Sequence, residues 1–246
     1  MTVQNLCLDN LRSALIRQEE TIIFALIERA QFKLNPIIYR RHGIPIHGFN
    51  GSFSDYLLWE TEKIHAKVRR YTSPDEHPFF DALPEPILPP LDYQNTINVS
   101  FLNINDKIHE MYQKHIVPEI CEEGDDENYG SSATCDVVCL QALSKRIHYG
   151  KFVAEVKFQK NPKMFSALIS SANRPGLLDK ITNKEVEKKL LRRVEQKAAA
   201  YGRDIDVDTD EFGYKIAPQT VRNLYEKWVI PLTKEVEIEY LLMRLT

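Results

Sequence analysis

Helical spacing dominates this chain of 246 residues. Apolar residues recur at three- and four-residue intervals, and no segment of useful length alternates with the two-residue period of a strand. The predicted fold class is therefore all-α, with no internal repeat. Residues 7 to about 33 carry Leu11, Leu15, Ile22, Ile23, Leu26 and Ile27 on one stripe, with Asp9-Asn10 as a start and Asn35-Pro36 as a stop. A loop with Gly43, Pro45, Gly48 and Gly51 leads to Ser52 or Ser54, either of which can cap a second helix running to about Tyr71. Ser73-Pro74-Asp75-Glu76 reads as another helix start. Six of the thirteen prolines then fall between 74 and 90, which makes that stretch an extended surface connection.

Helical patterning resumes over 104–120, through Ile104, Ile108, Met111, Tyr112 and Ile116, and the acidic residues 121–128 read as a loop. A long helix is predicted from about Ser132 to Lys160, capped by Ser131-Ser132. Shorter helices at 162–171, 174–179 and 183–200 precede a second acidic loop, 204–212. The last helix runs from Pro218 to about Arg244, and Pro231 should remove one backbone donor and kink it. By length alone, one domain spanning 1–246 is as consistent as two.

Within the long helix, Arg146 and Lys157 are eleven positions apart. At about 100° per residue they lie within about 20° of one face and roughly 16 Å apart along the axis. Tyr149, Gly150 and Val153 occupy the face between them, so two long cations can lean toward each other over a small, smooth floor. The gap suits a compact dianion. A solvated basic face is the ordinary reading of such a pair. Gly150 argues against it, because a mid-helix glycine costs up to ~1 kcal/mol against alanine and marks a close approach by a backbone or a ligand.

The whole chain excludes several classes of function. Net charge is −3 with pI near 6.2, so no global basic field recruits nucleic acid or an acidic membrane. No apolar run approaches the ~20 residues of a membrane span. Met1 to Asn10 lacks the basic flank and apolar run of a signal peptide. Cys7, Cys121, Cys135 and Cys139 have no zinc-type spacing, and Cys135 and Cys139 fit as small hydrophobes one turn apart. A reducing cytosol, hence a cytoplasmic location, is the expectation. There is no phosphate loop, G-x-G-x-x-G, H-E-x-x-H or G-x-S-x-G motif. No cofactor and no metal are expected, and His148 beside Arg146 is read as structural or solvated.

What remains is polar residues on apolar helical faces. Thr233 and Glu237 are four apart and share a face with Ile230, Tyr240, Leu241 and Arg244, so burial of Glu237 with a raised pKa is expected. Asn183 and Glu187 are also four apart, although Asn183 alone reads as a helix start. Arg12 and Glu19 are a heptad apart, where a surface salt bridge is the default.

These residues occur together in one family. The chain resembles the eukaryotic, fungal-type chorismate mutases over essentially its full length. The resemblance is carried by Asp9-Asn10-Leu11-Arg12, Val68 through Glu76, Tyr129 through Thr134, Ser144 through Phe158, Ile181-Thr182-Asn183 and Ile230 through Leu242. It implies an all-helical homodimer of about a dozen helices, with one active site in each protomer's helix bundle. It further implies the pericyclic rearrangement of chorismate to prephenate, on the route to phenylalanine and tyrosine, without cofactor, metal or covalent intermediate. In that family pattern Arg12 and Arg146 hold the two carboxylates. Lys157 and Glu237 address the ether oxygen, Asn183 and Glu187 meet the ring hydroxyl side, and Thr233 lines the site.

Fungal members are activated by tryptophan and inhibited by tyrosine at a dimer-interface site. By the same resemblance this site maps onto Arg69, Arg70, Asn128, Gly130, Ser131 and Thr134. An arginine pair suits an amino-acid carboxylate, and a Gly-Ser helix start offers free N–H donors. Arg69-Arg70 is also consistent with a cationic turn complementing a helix C-terminus. Two other readings stand beside the enzyme. A catalytically silent amino-acid-sensing dimer should have lost a cage residue, and none is missing. A helical scaffold would leave Arg146, Lys157 and Glu237 without a common purpose.

Overall fold

The computed structural model describes residues 8–91, 97, 102–203 and 213–245. Cys7 and the segment 204–212 lie outside the described residues. Eight helices carry the rest, and no strand occurs among the described residues. They are α1 (Leu8–Arg29), α2 (Phe53–Lys67), α3 (Asn105–Met111, Tyr112–Ile116 and Val117–Ile120) and α4 (Tyr129–His148 and Gly150–Lys160). Then come α5 (Pro162–Ser170), α6 (Arg174–Ile181), α7 (Lys184–Tyr201) and α8 (Pro218–Leu224, Tyr225–Val229 and Ile230–Met243).

The count of about a dozen is corrected for two physical reasons. Pro36–Tyr39 and Arg70–Thr72 form only single 3₁₀ turns. The segments around Pro118 and Pro231 stay continuous, because a wide π turn, Tyr112–Ile116 or Tyr225–Val229, immediately precedes each proline. A helical proline removes the bond to the carbonyl four residues back and crowds it. Those carbonyls belong to Lys114 and Lys227, each at the centre of its π turn, where the widened ladder makes room. His115 and Trp228, one from each π turn, stack with ring centroids 4.3 Å apart, so α3 and α8 are pinned at their widened turns.

Several boundaries shift for local reasons. α1 ends at Arg29 because the fully buried Arg29 guanidinium draws the chain around itself. It donates to Asp136 at 2.8 Å and to the carbonyls of Phe32, Lys33 and Leu34 at 3.1–3.2 Å. Asp136 also accepts from Tyr39 and Tyr112, so a buried charge is matched by several partners. Ser52, not Ser54, caps α2 with a reciprocal capping box to Asp55. Ser73-Pro74-Asp75-Glu76 forms a turn closed by Glu76 N–H to Ser73 O, and no helix follows it. α4 starts at Tyr129, and Ser132 is buried, accepting from Asn35 Nδ2 at 2.9 Å rather than capping.

α1 packs against α4 and α7, and α8 packs against α4 and α6. The core runs through Ile22, Ile23 and Leu26 of α1, Leu140, Leu143 and Ile147 of α4, Val194 of α7, and Tyr240 and Leu241 of α8. No helix among the described residues is long and apolar enough to cross a membrane.

Candidate active site

The second half of α4 can approach α8 because Gly150 has no side chain. A Cβ there would meet the Thr233 carbonyl oxygen at 2.8 Å and Glu237 Cγ at 3.4 Å. The close approach foreseen at this glycine is thus a helix backbone. It brings Arg146 and Lys157 opposite Thr233 and Glu237 along the wall of a cavity of about 250 Å³. Arg12 of α1 and Asn183 and Glu187 of α7 line the same cavity, so all seven residues grouped from the sequence reach one space. Its apolar walls include Leu11, Leu15, Val153, Ile181, Val186 and Ile230.

The cations differ in setting. Arg12, at the exposed end, pairs among the described residues with Asp9 at 3.1 Å and not with Glu19. Arg146 is buried, and among the described residues it has a single hydrogen bond, to Thr233 Oγ1 at 3.4 Å, and an Nε without a partner. Burial lowers its pKa, against the attraction of Tyr225, Glu19 and Glu237. A buried guanidinium so sparsely bonded is costly unless an anion completes it. Lys157 donates to Glu237 Oε2 and to the Ile181 carbonyl at the end of α6, both at 2.7 Å, which leaves one of its three N–H groups.

Glu237 is buried, and burial pushes its pKa up while Lys157 pulls it down. Asn183 caps α7, its Oδ1 accepting from Val186 N–H at 3.1 Å, and the residue also lines the cavity. Thr233 Oγ1 donates to Val229 O at 2.6 Å. His148 is structural: Nε2 accepts from Ile104 N–H at 3.0 Å and Nδ1 faces Ser144 O at 2.9 Å. Among the described residues, no group of three or more His, Cys, Asp or Glu side chains is placed to hold a metal.

Glu19 is not the surface partner that its heptad spacing from Arg12 suggests, and Lys234 escaped the sequence reading. Glu19 is fully buried, held by Arg193 at 2.6 and 2.8 Å and by Lys197 at 3.4 Å. Its place three and four residues before Ile22 and Ile23, on the apolar stripe, was the available signal. Lys234 lines the cavity and pairs with Glu187 at 2.8 Å, and nothing in its spacing announced it.

The six positions grouped as an effector site do not converge within one chain. Arg69 lies just past α2 with positive φ, its guanidinium donating to Pro89 O. Arg70 binds Glu76 at 3.1 Å, Gln141 at 2.7 Å and His65 at 2.9 Å. Asn128, Gly130, Ser131 and Thr134 are exposed at the start of α4, and Gly130 faces open space. Gln141 lies seven residues beyond Thr134, about 10 Å along the helix, so the arginine and the Gly-Ser turn are well separated.

The known proteins that this chain resembles are chorismate mutases. The family model for chorismate mutase type II matches residues 128–238, a span that includes α4 through most of α8. Chorismate mutase 1, chloroplastic, of Petunia hybrida is 50% identical over 97% of this chain and 76% of its own. The Candida albicans chorismate mutase Aro7p, solved in complex with L-Trp, superposes with a TM-score of 0.91 at 44% identity, covering 98% of this chain and 92% of that one. AtCM1, solved with tyrosine bound in its allosteric site, gives a TM-score of 0.91 at 48% identity, covering 99% and 98%.

Proposed function

This chain belongs to the chorismate mutase type II family, and from that premise we propose that Arg146 and the side chains around it form the cage in which chorismate rearranges to prephenate. The carrying observation is the buried Arg146 guanidinium with its unpartnered Nε. A unimolecular pericyclic shift needs a reactive conformer and stabilisation of charge on the ether oxygen as its C–O bond breaks. Arg146 holds one substrate carboxylate in the dry interior, and Arg12 meets the other at the mouth, forked donors suiting planar anions. The remaining N–H of Lys157 and a protonated Glu237 face the ether oxygen. Asn183 NH₂ and Glu187 meet the ring hydroxyl side, and Thr233 completes the wall. Following the loss of chorismate absorbance with wild type and Arg146→Ala tests the cage. Equal turnover in the two would refute it.

Residues 1–246 form one domain in this reading, active as a homodimer. The Aro7p complex holds L-Trp and AtCM1 holds tyrosine. We carry both to this chain as effectors, tryptophan activating and tyrosine inhibiting. The separation of Arg70 from the Gly130-Ser131 turn supports an effector site that takes its arginine pair from one copy and its helix start from a second. The free thiols Cys121, Cys135 and Cys139 fit a reducing compartment, and the cytoplasm is our assignment. Titrating activity with each amino acid, and sizing the protein in solution, tests regulation and assembly.

A further inference from the structure

We propose that Lys234 is a positioning residue that aims Glu187 into the cavity and balances its charge there. This rests on the reading of the cavity above, in which Glu187 meets the substrate's ring hydroxyl. Lys234 Nζ lies 2.8 Å from Glu187 Oε1, and the pair joins α8 to α7 across the cavity that both residues line. The side chains are 21% and 27% exposed, so the pair stands at the mouth and is largely covered.

An exposed ion pair is worth ~0–1 kcal/mol and ordinarily needs no role. This one differs in that both partners line the cavity. Among the described residues, Lys234 is the one ion-pair partner of Glu187. With Oε1 fixed by the ammonium, Oε2 is left to accept a hydrogen bond from a hydroxyl inside. Without Lys234 the carboxylate is free to turn to solvent. Its uncompensated charge would then stand at the mouth of a site built for a dianion, where like charges repel.

Contact with a ring hydroxyl is made in ground state and transition state alike, so weakening it appears in KM more than in kcat. Steady-state kinetics of Lys234→Met, Lys234→Arg, Glu187→Gln and the double variant Lys234→Met/Glu187→Gln test this. Lys234→Gln serves as a second charge-removing variant should the methionine form fold poorly. Lys234→Met should raise KM about five- to ten-fold while kcat changes by less than about two-fold. Lys234→Arg should recover most of that loss. The double variant should match Glu187→Gln alone, because Lys234 then has no carboxylate to aim. If Glu187→Gln is impaired while both charge-removing variants keep wild-type KM, this inference falls alone. Penalties that multiply in the double variant overturn it too. If Glu187→Gln itself leaves KM unchanged, the placing of Glu187 against substrate falls, and this inference with it.

Discussion

Gly150 lies so close to Thr233 that a Cβ on it would stand 2.8 Å from the Thr233 carbonyl oxygen, nearer than packed atoms can approach. The contact sets the spacing of α4 and α8, which carry Arg146 and Lys157 on one side and Thr233 and Glu237 on the other. Alanine at 150 gains up to ~1 kcal/mol of helix propensity. Against that, the obstacle is backbone, and overpacking of this kind costs ~1–3 kcal/mol. Gly150→Ala should therefore lower Tm modestly and cut turnover by about ten-fold or more, since small misplacements of reacting groups are expensive. Thermal melts and kcat measure both. Wild-type values of each would show that the helix spacing is not critical.

Arg146 and Lys157 make a sharper pair of tests. Each is expected to supply a charge-assisted contact to a desolvated anion, on the order of 2–4 kcal/mol in the transition state. Arg146→Ala and Lys157→Ala should each lower kcat/KM by about thirty- to a thousand-fold with helical content retained. Arg146→Met should in addition hold or raise Tm, because it removes a buried and poorly bonded charge while filling its volume. Near-normal activity in either alanine variant would mean that the cavity is not the site.

Arg70 sits in a cluster with Glu76, Gln141 and His65, and Glu76 also receives Lys145, the neighbour of Arg146, at 2.7 Å. Arg70→Ala, alone or with Arg69→Ala, should collapse the ratio of activities with and without each effector toward one. Allostery requires each amino acid to bind two states of the protein unequally. Activity titrations with tryptophan and tyrosine read this directly. Unchanged curves in the double variant would move the effector site elsewhere.

Lys151 is buried with its Nζ 2.6 Å from Nε2 of His77. Burial pushes the lysine down to about 8, and burial with the neighbouring charges pushes His77 down to about 2. Between pH ~8 and the ordinary lysine value the unfolded chain holds the extra proton, so stability should rise with pH across that window. Urea midpoints from pH 7.5 to 9.5 test this. In Lys151→Met the rise should flatten and the neutral-pH midpoint should increase. A wild-type midpoint that falls over the same range would contradict it.

Helical periodicity is strongest in α1, α4, α7 and α8, whose length gives the apolar stripe several turns to repeat. It also puts Arg146 and Lys157 on one helix face and Thr233 and Glu237 on another, but does not show that the two faces meet across a cavity. The ends were harder. α1 stops at Arg29 because of the Asp136 contact 107 residues away, which no local pattern encodes. Pro231 reads as a kink from sequence, whereas the π turn before it absorbs the lost bond. Glu19 looked like a surface partner for Arg12. Its burial depends on Arg193 and Lys197 arriving from α7, and an i,i+7 rule cannot see a partner on another helix. Lys234 was invisible for the same reason.

The last expectation concerns pH. Lys157 holds Oε2 of Glu237 at 2.7 Å, and the carboxyl is otherwise enclosed by the cavity wall. An ionised carboxylate facing an ether oxygen that gains negative charge would repel it, so the useful form is protonated. Burial raises the Glu237 pKa above the ordinary carboxylate value, and Lys157, then Arg146 and Lys234, work against that rise. Two substrate carboxylates entering the cavity add negative charge and favour the proton further. The active form therefore persists on the acidic side and is lost as pH rises through that raised value. kcat/KM should be greatest below neutrality and decline toward alkaline pH. Glu237→Gln offers a permanent N–H donor of similar shape, so its profile should stay flat where the wild type falls, with activity retained. An inactive Gln variant, or one that follows the wild-type decline, would remove Glu237 from the role of protonated donor.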